Sequence, residues 1–181
     1  MKEELSHVKG VAGIISEMSI LQMKSHSPEQ TQILGKLLGE IVQEGDVVLL
    51  DGELGTGKTC LAQGIAHGLG IKQYAFSPSY VFIREYYGRL PLYHIDLYRI
   101  NNIEEIDDLG LDEYLYGNGI CVIEWAKKGL SVLPRDYLLI EFSYVSTCET
   151  HRNVNLNPRG KRYSDLIQQF TSIIKREQTW N

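Results

Sequence analysis

Apolar residues follow two different periods along this chain, and the two periods predict two kinds of element. Continuous apolar runs at residues 46–51 and 120–123 are typical of strands that are buried on both faces of a parallel sheet. An apolar stripe at helical spacing follows Ser27. Ser27 can cap the N-terminus of this helix, Pro28 takes its first position, and Gln30 completes an S-x-x-Q capping box with Ser27. The stripe consists of Ile33, Leu34, Leu37, Leu38 and Ile41.

The remaining segments continue this alternation of strands with helices. Shorter apolar patterns predict further strands at residues 19–24, 80–86, 91–95, 137–142 and 153–156. Helical spacing predicts further helices at residues 58–69, 103–116 and 164–175. This order predicts a three-layer α/β/α fold, with a mostly parallel central sheet and helices on both of its faces.

Length and composition predict one domain over residues 1–181, with residues 1–18 as a possible N-terminal extension. Eighteen basic and 23 acidic residues give a net charge of −5, so we expect any contact with nucleic acid to be local or shared with a partner. An odd count of three cysteines without a C-x-x-C pair argues against a disulfide framework or a zinc site. No apolar run approaches the roughly 20 residues of a membrane helix, so we expect a cytoplasmic protein without a membrane anchor.

A glycine-rich segment after the first buried strand carries the strongest chemical signal. It reads G-E-L-G-T-G-K-T over residues 52–59, which is a complete G-x-x-x-x-G-K-[ST] motif. In such a loop, backbone N–H groups and a helix N-terminus surround the phosphates of a nucleotide. The Lys58 ammonium would neutralise the β- and γ-phosphates, and the Thr59 hydroxyl would ligate Mg²⁺. The nucleotide-contacting residues predicted from this segment are Glu53, Leu54, Gly55, Thr56, Gly57, Lys58, Thr59 and Cys60.

Two carboxylates are candidates for the acidic partner that such a loop requires. Glu124 and Asp96 each follow an apolar strand, so both would emerge at the carboxyl edge of the sheet. Either one could hold the magnesium, orient the attacking water or accept its proton, and the sequence leaves these roles open. Trp125 follows Glu124 and is placed to shape the nucleotide site. His94 lies within an apolar strand, where a lone histidine is more often a packed core residue than a base.

With these segments identified, the chain resembles the TsaE (YjeE) family, the ATPases of bacterial tRNA threonylcarbamoyladenosine synthesis. The resemblance covers about residues 25–170 and keeps one order of motifs: S-x-E-x-T, G-E-L-G-T-G-K-T, S-P-S-Y, H-I-D-L-Y-R and E-W. Ser79 stands where the family usually has threonine, and His151-Arg152 stands where it usually has glycine-arginine.

The resemblance implies a protein that binds ATP and Mg²⁺, hydrolyses ATP slowly and acts with a TsaB–TsaD heterodimer. It implies that Thr59 and Glu124 ligate the magnesium and that Asp96 is a second essential acid. It also implies that Arg152 approaches the nucleotide, that helix residues around Glu29 approach the adenine from the other side, and that residues 77–80 form a switch-like segment near the γ-phosphate. Contact with tRNA would occur only through the complex.

The phosphate-binding loop alone is compatible with two other functions. A small-molecule kinase would need a mobile, arginine-rich lid, and the eight arginines of this chain are scattered instead. A nucleotide-gated binding module would use ATP for its effect on conformation, with hydrolysis only incidental.

Overall fold

A computed structural model describes residues 20–73, 75 and 77–177 and shows an α/β fold built on one seven-stranded sheet. The predicted extension at residues 1–18 and the first residue of the predicted strand at 19–24 lie outside the described residues. The strand order across the sheet is β1-β7-β6-β2-β5-β4-β3. The strands are β1 (Leu21–Ser25), β2 (Val47–Gly52), β3 (Ile83–Tyr87), β4 (Pro91–Asp96), β5 (Ile120–Glu124), β6 (Tyr137–Val145) and β7 (Cys148–Arg159).

The sheet is mixed, which corrects the prediction of a mostly parallel sheet. The four central strands β6, β2, β5 and β4 are parallel to one another. The outer pairings β1–β7, β6–β7 and β3–β4 are antiparallel. Strands β3 and β4, like β6 and β7, follow each other after very short connections, which permit only hairpin pairing because a parallel crossover needs a dozen or more residues.

Helices cover both faces of the central strands. The side chains of β2 alternate between two separate apolar clusters, so these clusters lie on opposite faces of the sheet. Val48 and Leu50 pack in the cluster that contains α1 (Pro28–Ile41), α2 (Lys58–Gly68) and α5 (Lys161–Glu177). Val47 and Leu49 pack in the cluster that contains α3 (Ile103–Asp107) and α4 (Asp112–Leu115).

Two predicted elements differ in detail from the structure. The helix predicted at residues 103–116 is two short helices, because Gly110 between them has a left-handed backbone (φ 63°) that ends the first. Ser27 caps α1 as predicted, since its hydroxyl accepts a hydrogen bond from the Gln30 N–H at 3.2 Å. The Gln30 side chain, however, accepts from the N–H of His26 at 2.6 Å rather than from that of Ser27.

Helices α1 and α2 lie unusually close together because glycines face each other between them. A Cβ on Gly35 would lie 2.3 Å from the Leu61 carbonyl oxygen, and one on Gly64 would lie 2.2 Å from the Gln32 carbonyl oxygen. This contact places the start of α1 against the start of α2, where the Cys60 thiol donates to the Pro28 carbonyl at 3.0 Å. No helix within the described ranges is long and apolar enough to cross a membrane.

Candidate functional site

The glycine-rich segment forms the connection between the end of β2 and the start of α2. Gly57 caps α2 with a left-handed backbone (φ 109°), a conformation that other residues rarely adopt. Gly52 has φ 138°, and a Cβ there would lie only 2.5 Å from the Phe142 carbonyl oxygen. Both positions therefore require glycine, and together they curl the loop tightly over the N-terminus of α2.

The Lys58 side chain lies inside this curl and is only 4% exposed. Its ammonium donates to the carbonyls of Gly52 and Glu53 at 2.7 and 2.8 Å, and it lies 3.8 Å from the centroid of the Trp125 ring. Burial lowers the pKa of Lys58, while the nearby carboxylates, Glu124 foremost, oppose that shift. The Lys58 ammonium thus lies at the point where the loop and the helix N-terminus meet.

Glu124 ends β5 as a buried carboxylate whose two oxygens have different partners. The Thr59 hydroxyl donates to Oε2 at 3.0 Å. His94 Nε2 lies 2.9 Å from Oε1 and acts as the donor, since an ionised carboxylate only accepts. His94 is fully buried, and its Nδ1 has no hydrogen-bond partner among the described residues. The carboxylate is thereby held with one oxygen facing the start of α2.

Asp96 lies beside Glu124 at the same edge of the sheet, because the two residues are register partners on the parallel strands β4 and β5. Its Oδ2 accepts from the hydroxyls of Ser77 and Ser79 at 2.7 and 2.5 Å. Its Oδ1 accepts from the N–H of Tyr98 at 2.8 Å. The buried carboxylate therefore ties the segment at residues 77–80 to the end of β4.

A cavity of about 410 Å³ opens between the loop, the strand ends and the segment at residues 77–80. Nine of the predicted site residues line it: Leu54, Gly55, Gly57, Lys58, Thr59, Cys60, Asp96, Glu124 and Trp125. Glu53 and Thr56 do not line it; the buried Thr56 hydroxyl donates to the Glu53 carbonyl at 2.8 Å and so braces the loop from within. Burial raises the pKa of the Cys60 thiol to about 11.

Arg152 contacts the loop at Gly55 and is not among the residues that line the cavity. Its guanidinium donates to the Gly55 carbonyl at 3.4 Å and lies 4.4 Å from the centroid of the Tyr144 ring. The Tyr144 hydroxyl in turn donates to the Leu54 carbonyl at 2.7 Å. Strands β6 and β7 thus contact the tip of the loop through one aromatic and one cationic side chain.

The donor set at the cavity fits magnesium. Thr59 and Glu124 offer a hydroxyl and a carboxylate oxygen 3.0 Å apart, which are the oxygen ligands that Mg²⁺ prefers alongside water and substrate phosphates. No group of three or more His, Cys, Asp and Glu side chains within the described residues could hold a metal ion without such additional ligands.

Several residues of the site escaped the sequence analysis or were given other roles. His94 was interpreted as a packed core residue, and it is buried, but it also holds Glu124. Side chains alternate between the two faces of a strand, so His94 lies on the same face of β4 as Asp96. This spacing is the feature of the sequence that could have indicated a role for His94 at the site. Tyr80, Tyr98 and Arg99 also line the cavity. Arg99 is the last residue of the H-I-D-L-Y-R motif, but the motif alone gave it no role.

Comparison with known proteins gives one consistent result. The model of the family "Threonylcarbamoyl adenosine biosynthesis protein TsaE" matches residues 25–154. A Bacillus subtilis tRNA threonylcarbamoyladenosine biosynthesis protein TsaE is 39% identical over 155 residues, which cover 85% of this chain and 96% of the relative. The Nostoc protein of the same name is 40% identical over 84% of this chain and 97% of the relative. The crystal structure of Bacillus subtilis YdiB matches with a TM-score of 0.74 and 35% identity, covering 85% of this chain and 95% of that one.

Proposed function

This chain belongs to the TsaE family of threonylcarbamoyladenosine biosynthesis, and on that premise we propose that it is the ATP-binding, slowly ATP-hydrolysing subunit of this tRNA modification. In this proposal its fold is that of a P-loop NTPase, its cofactor is Mg²⁺, and it acts in the cytoplasm on a TsaB–TsaD heterodimer. Contact with tRNA is made through that complex.

One observation carries the proposal: the curled loop around Lys58 lies beside a hydroxyl–carboxylate pair, Thr59 with Glu124, whose oxygens are 3.0 Å apart. A loop with inward N–H groups and a cation binds phosphates, and a hydroxyl paired with a carboxylate suits a divalent metal. An ordinary glycine-rich turn would require neither the buried lysine nor the paired acid.

Each residue of the cavity has a distinct task in this proposal. Lys58 exchanges the carbonyls of Gly52 and Glu53 for phosphate oxygens when the nucleotide binds. Thr59 and Glu124 hold Mg²⁺, which when bound neutralises charge on the β- and γ-phosphates. The three hydrogen bonds to Asp96 fix its carboxylate at the edge of the sheet, from where it orients the attacking water or accepts its proton.

The proposal is tested by measuring where the terminal phosphate of ATP goes. Purified full-length protein is incubated with Mg²⁺ and radiolabelled ATP, alone, with TsaB–TsaD, and with a panel of small acceptors. We expect slow phosphate release to water that increases when TsaB–TsaD is present. Glu124→Gln and Asp96→Asn should keep much of the ATP affinity while lowering this release.

The same experiment separates the proposal from its alternatives. Label that appears on a small acceptor would identify a kinase instead. ATP binding without release of phosphate in any mixture would identify a nucleotide-gated binding module. Unchanged turnover in both carboxylate variants would remove Asp96 and Glu124 from the mechanism.

A further inference from the structure

The nucleotide cavity has a second cation to which the proposed function gives no task. Among the described residues that line the cavity, Lys58 and Arg99 carry the positive charges. In the proposed function Lys58 and Mg²⁺ share the charge of the bound β- and γ-phosphates, and the additional charge that develops on the γ-phosphate during hydrolysis is what a further arginine stabilises at phosphoryl-transfer sites. The position of Arg99 therefore bears directly on how this site would hold a nucleoside triphosphate.

The side chain of Arg99 rests on a partner that it can leave at little cost. Its guanidinium lies 4.2 Å from the centroid of the Tyr80 ring, and Tyr80 is 82% exposed. A cation–π contact at such an exposed site contributes only about 0.5–1 kcal/mol. A phosphate offers charge-assisted, bidentate hydrogen bonds to the same guanidinium, which are considerably stronger.

The backbone around Arg99, by contrast, is held firmly beside the phosphate-binding loop. The Lys128 ammonium donates to the carbonyls of Tyr98 and Ile100, on either side of Arg99. The Tyr98 ring lies 5.0 Å from that of Trp125, whose ring in turn contacts the Lys58 ammonium. The N–H of Tyr98 is bound by Asp96. Arg99 thus projects from a fixed point on the Asp96 side of the cavity.

We propose that Arg99 leaves Tyr80 when a nucleoside triphosphate binds, contacts its terminal phosphate and neutralises the charge that develops there during hydrolysis. In that reaction, the water oxygen bonds to the γ-phosphorus, and the bond from phosphorus to the β–γ bridging oxygen breaks. The electron pair of that bond stays with ADP, and the water proton passes to Asp96 or solvent. The inference rests on the proposed function and adds an arginine supplied by this chain itself.

The test compares ATP and ADP, because only ATP has the phosphate that Arg99 would contact. Dissociation constants for both nucleotides, and the rate of ATP hydrolysis, are measured for wild type, Arg99→Ala and Arg99→Lys. Arg99→Ala should weaken ATP binding by about tenfold or more and leave ADP binding unchanged, since a hydrogen bond between charged groups is lost. Hydrolysis should fall by at least about 100-fold. Arg99→Lys should recover part of the binding but little of the rate, because lysine lacks the planar fork.

Two control variants make the result specific. Arg176→Ala removes an exposed arginine from the last turn of α5, away from the cavity, and should behave as wild type. Arg135→Ala removes a second exposed arginine that does not line the cavity, and should likewise behave as wild type. A selective loss of ATP binding in either control would show that the loss in Arg99→Ala comes from the change in net charge, and the inference would be wrong.

The outcomes also separate this inference from the proposed function. Wild type that neither binds nor hydrolyses ATP would contradict the proposed function itself. Wild type that binds and hydrolyses ATP, with Arg99→Ala equal to it or weakened equally for both nucleotides, would overturn the role of Arg99 alone.

Discussion

At the scale of single residues, the site depends on how Glu124 is held. Its two oxygens are divided between Thr59 on α2 and His94 on β4. A buried carboxylate that loses a donor retains its desolvation cost, so His94 both stabilises the fold and fixes the oxygen that faces Thr59. His94 touches no substrate in this arrangement and is a positioning residue.

We expect His94→Phe to lower the rate of ATP hydrolysis by roughly tenfold and the free energy of unfolding by about 1–3 kcal/mol, because Glu124 loses a partner. ATP affinity should change little, since Lys58 and the loop remain. His94→Gln, whose amide can occupy the place of Nε2, should recover much of both quantities. Chemical denaturation measures the free energy of unfolding, and steady-state kinetics measures the rate of ATP hydrolysis. Equal rates of hydrolysis in wild type and His94→Phe would exclude a role for His94 in positioning Glu124.

The sequence was sufficient to place residues whose position follows from local chain geometry. Lys58 and Thr59 are set by the loop-to-helix motif, and Asp96 and Glu124 by the ends of apolar strands. Contacts between distant segments could not be predicted in this way. The hydrogen bonds from Ser77 and Ser79 to Asp96 require the path of a whole connection, and the position of Arg152 depends on the register of β7.

At the scale of elements, the packing of α1 against α2 determines where the loop and its helix lie. Gly64 on α2 faces the Gln32 carbonyl, and a methyl group there would lie 2.2 Å from that oxygen. The helices cannot accommodate it without moving apart, since the obstructing atom belongs to the backbone. Such a shift would displace the start of α2, and with it Thr59, relative to Glu124.

Gly64→Ala should therefore lower the free energy of unfolding by about 2 kcal/mol, although alanine favours a helix by about 1 kcal/mol over glycine. Urea denaturation provides the measurement. Ser172→Ala on an exposed part of α5 serves as the matched control and should change stability by no more than about 0.5 kcal/mol. A Gly64→Ala protein as stable as wild type would show that this close approach is not required.

Most elements could be predicted from their periodicity, whereas the direction of β7 could not. A continuous apolar run, such as the one in Val47–Gly52, is expected of a strand that is covered on both faces. The hairpin formed by β6 and β7 follows instead from the short connection between them, whereas the apolar pattern indicates a start of β7 at residue 153 rather than at Cys148. With that strand placed five residues late, the short connection was not apparent.

At the scale of the whole molecule, the net charge of −5 opposes binding to a polyanion. The isolated protein should therefore bind tRNA more weakly than about 1 μM at about 150 mM salt, and any binding should weaken further as salt increases. Filter binding over a series of salt concentrations measures this, and the same assay with TsaB–TsaD added is the comparison. A sub-micromolar, salt-resistant complex between the isolated chain and tRNA would contradict the expectation that tRNA is contacted only through the complex.

Calorimetric titration with ATP and Mg²⁺ measures whether the loop around Lys58 binds the phosphates of the nucleotide. The matched control is Lys36→Ala, which removes a lysine that is 57% exposed on α1 and pairs only loosely with Glu40 at 3.8 Å. We expect wild type and Lys36→Ala to bind ATP equally well, and Lys58→Ala to bind it at least about tenfold more weakly because a charge-assisted contact is lost. Equal affinity in all three proteins, or no binding by wild type, would contradict this expectation.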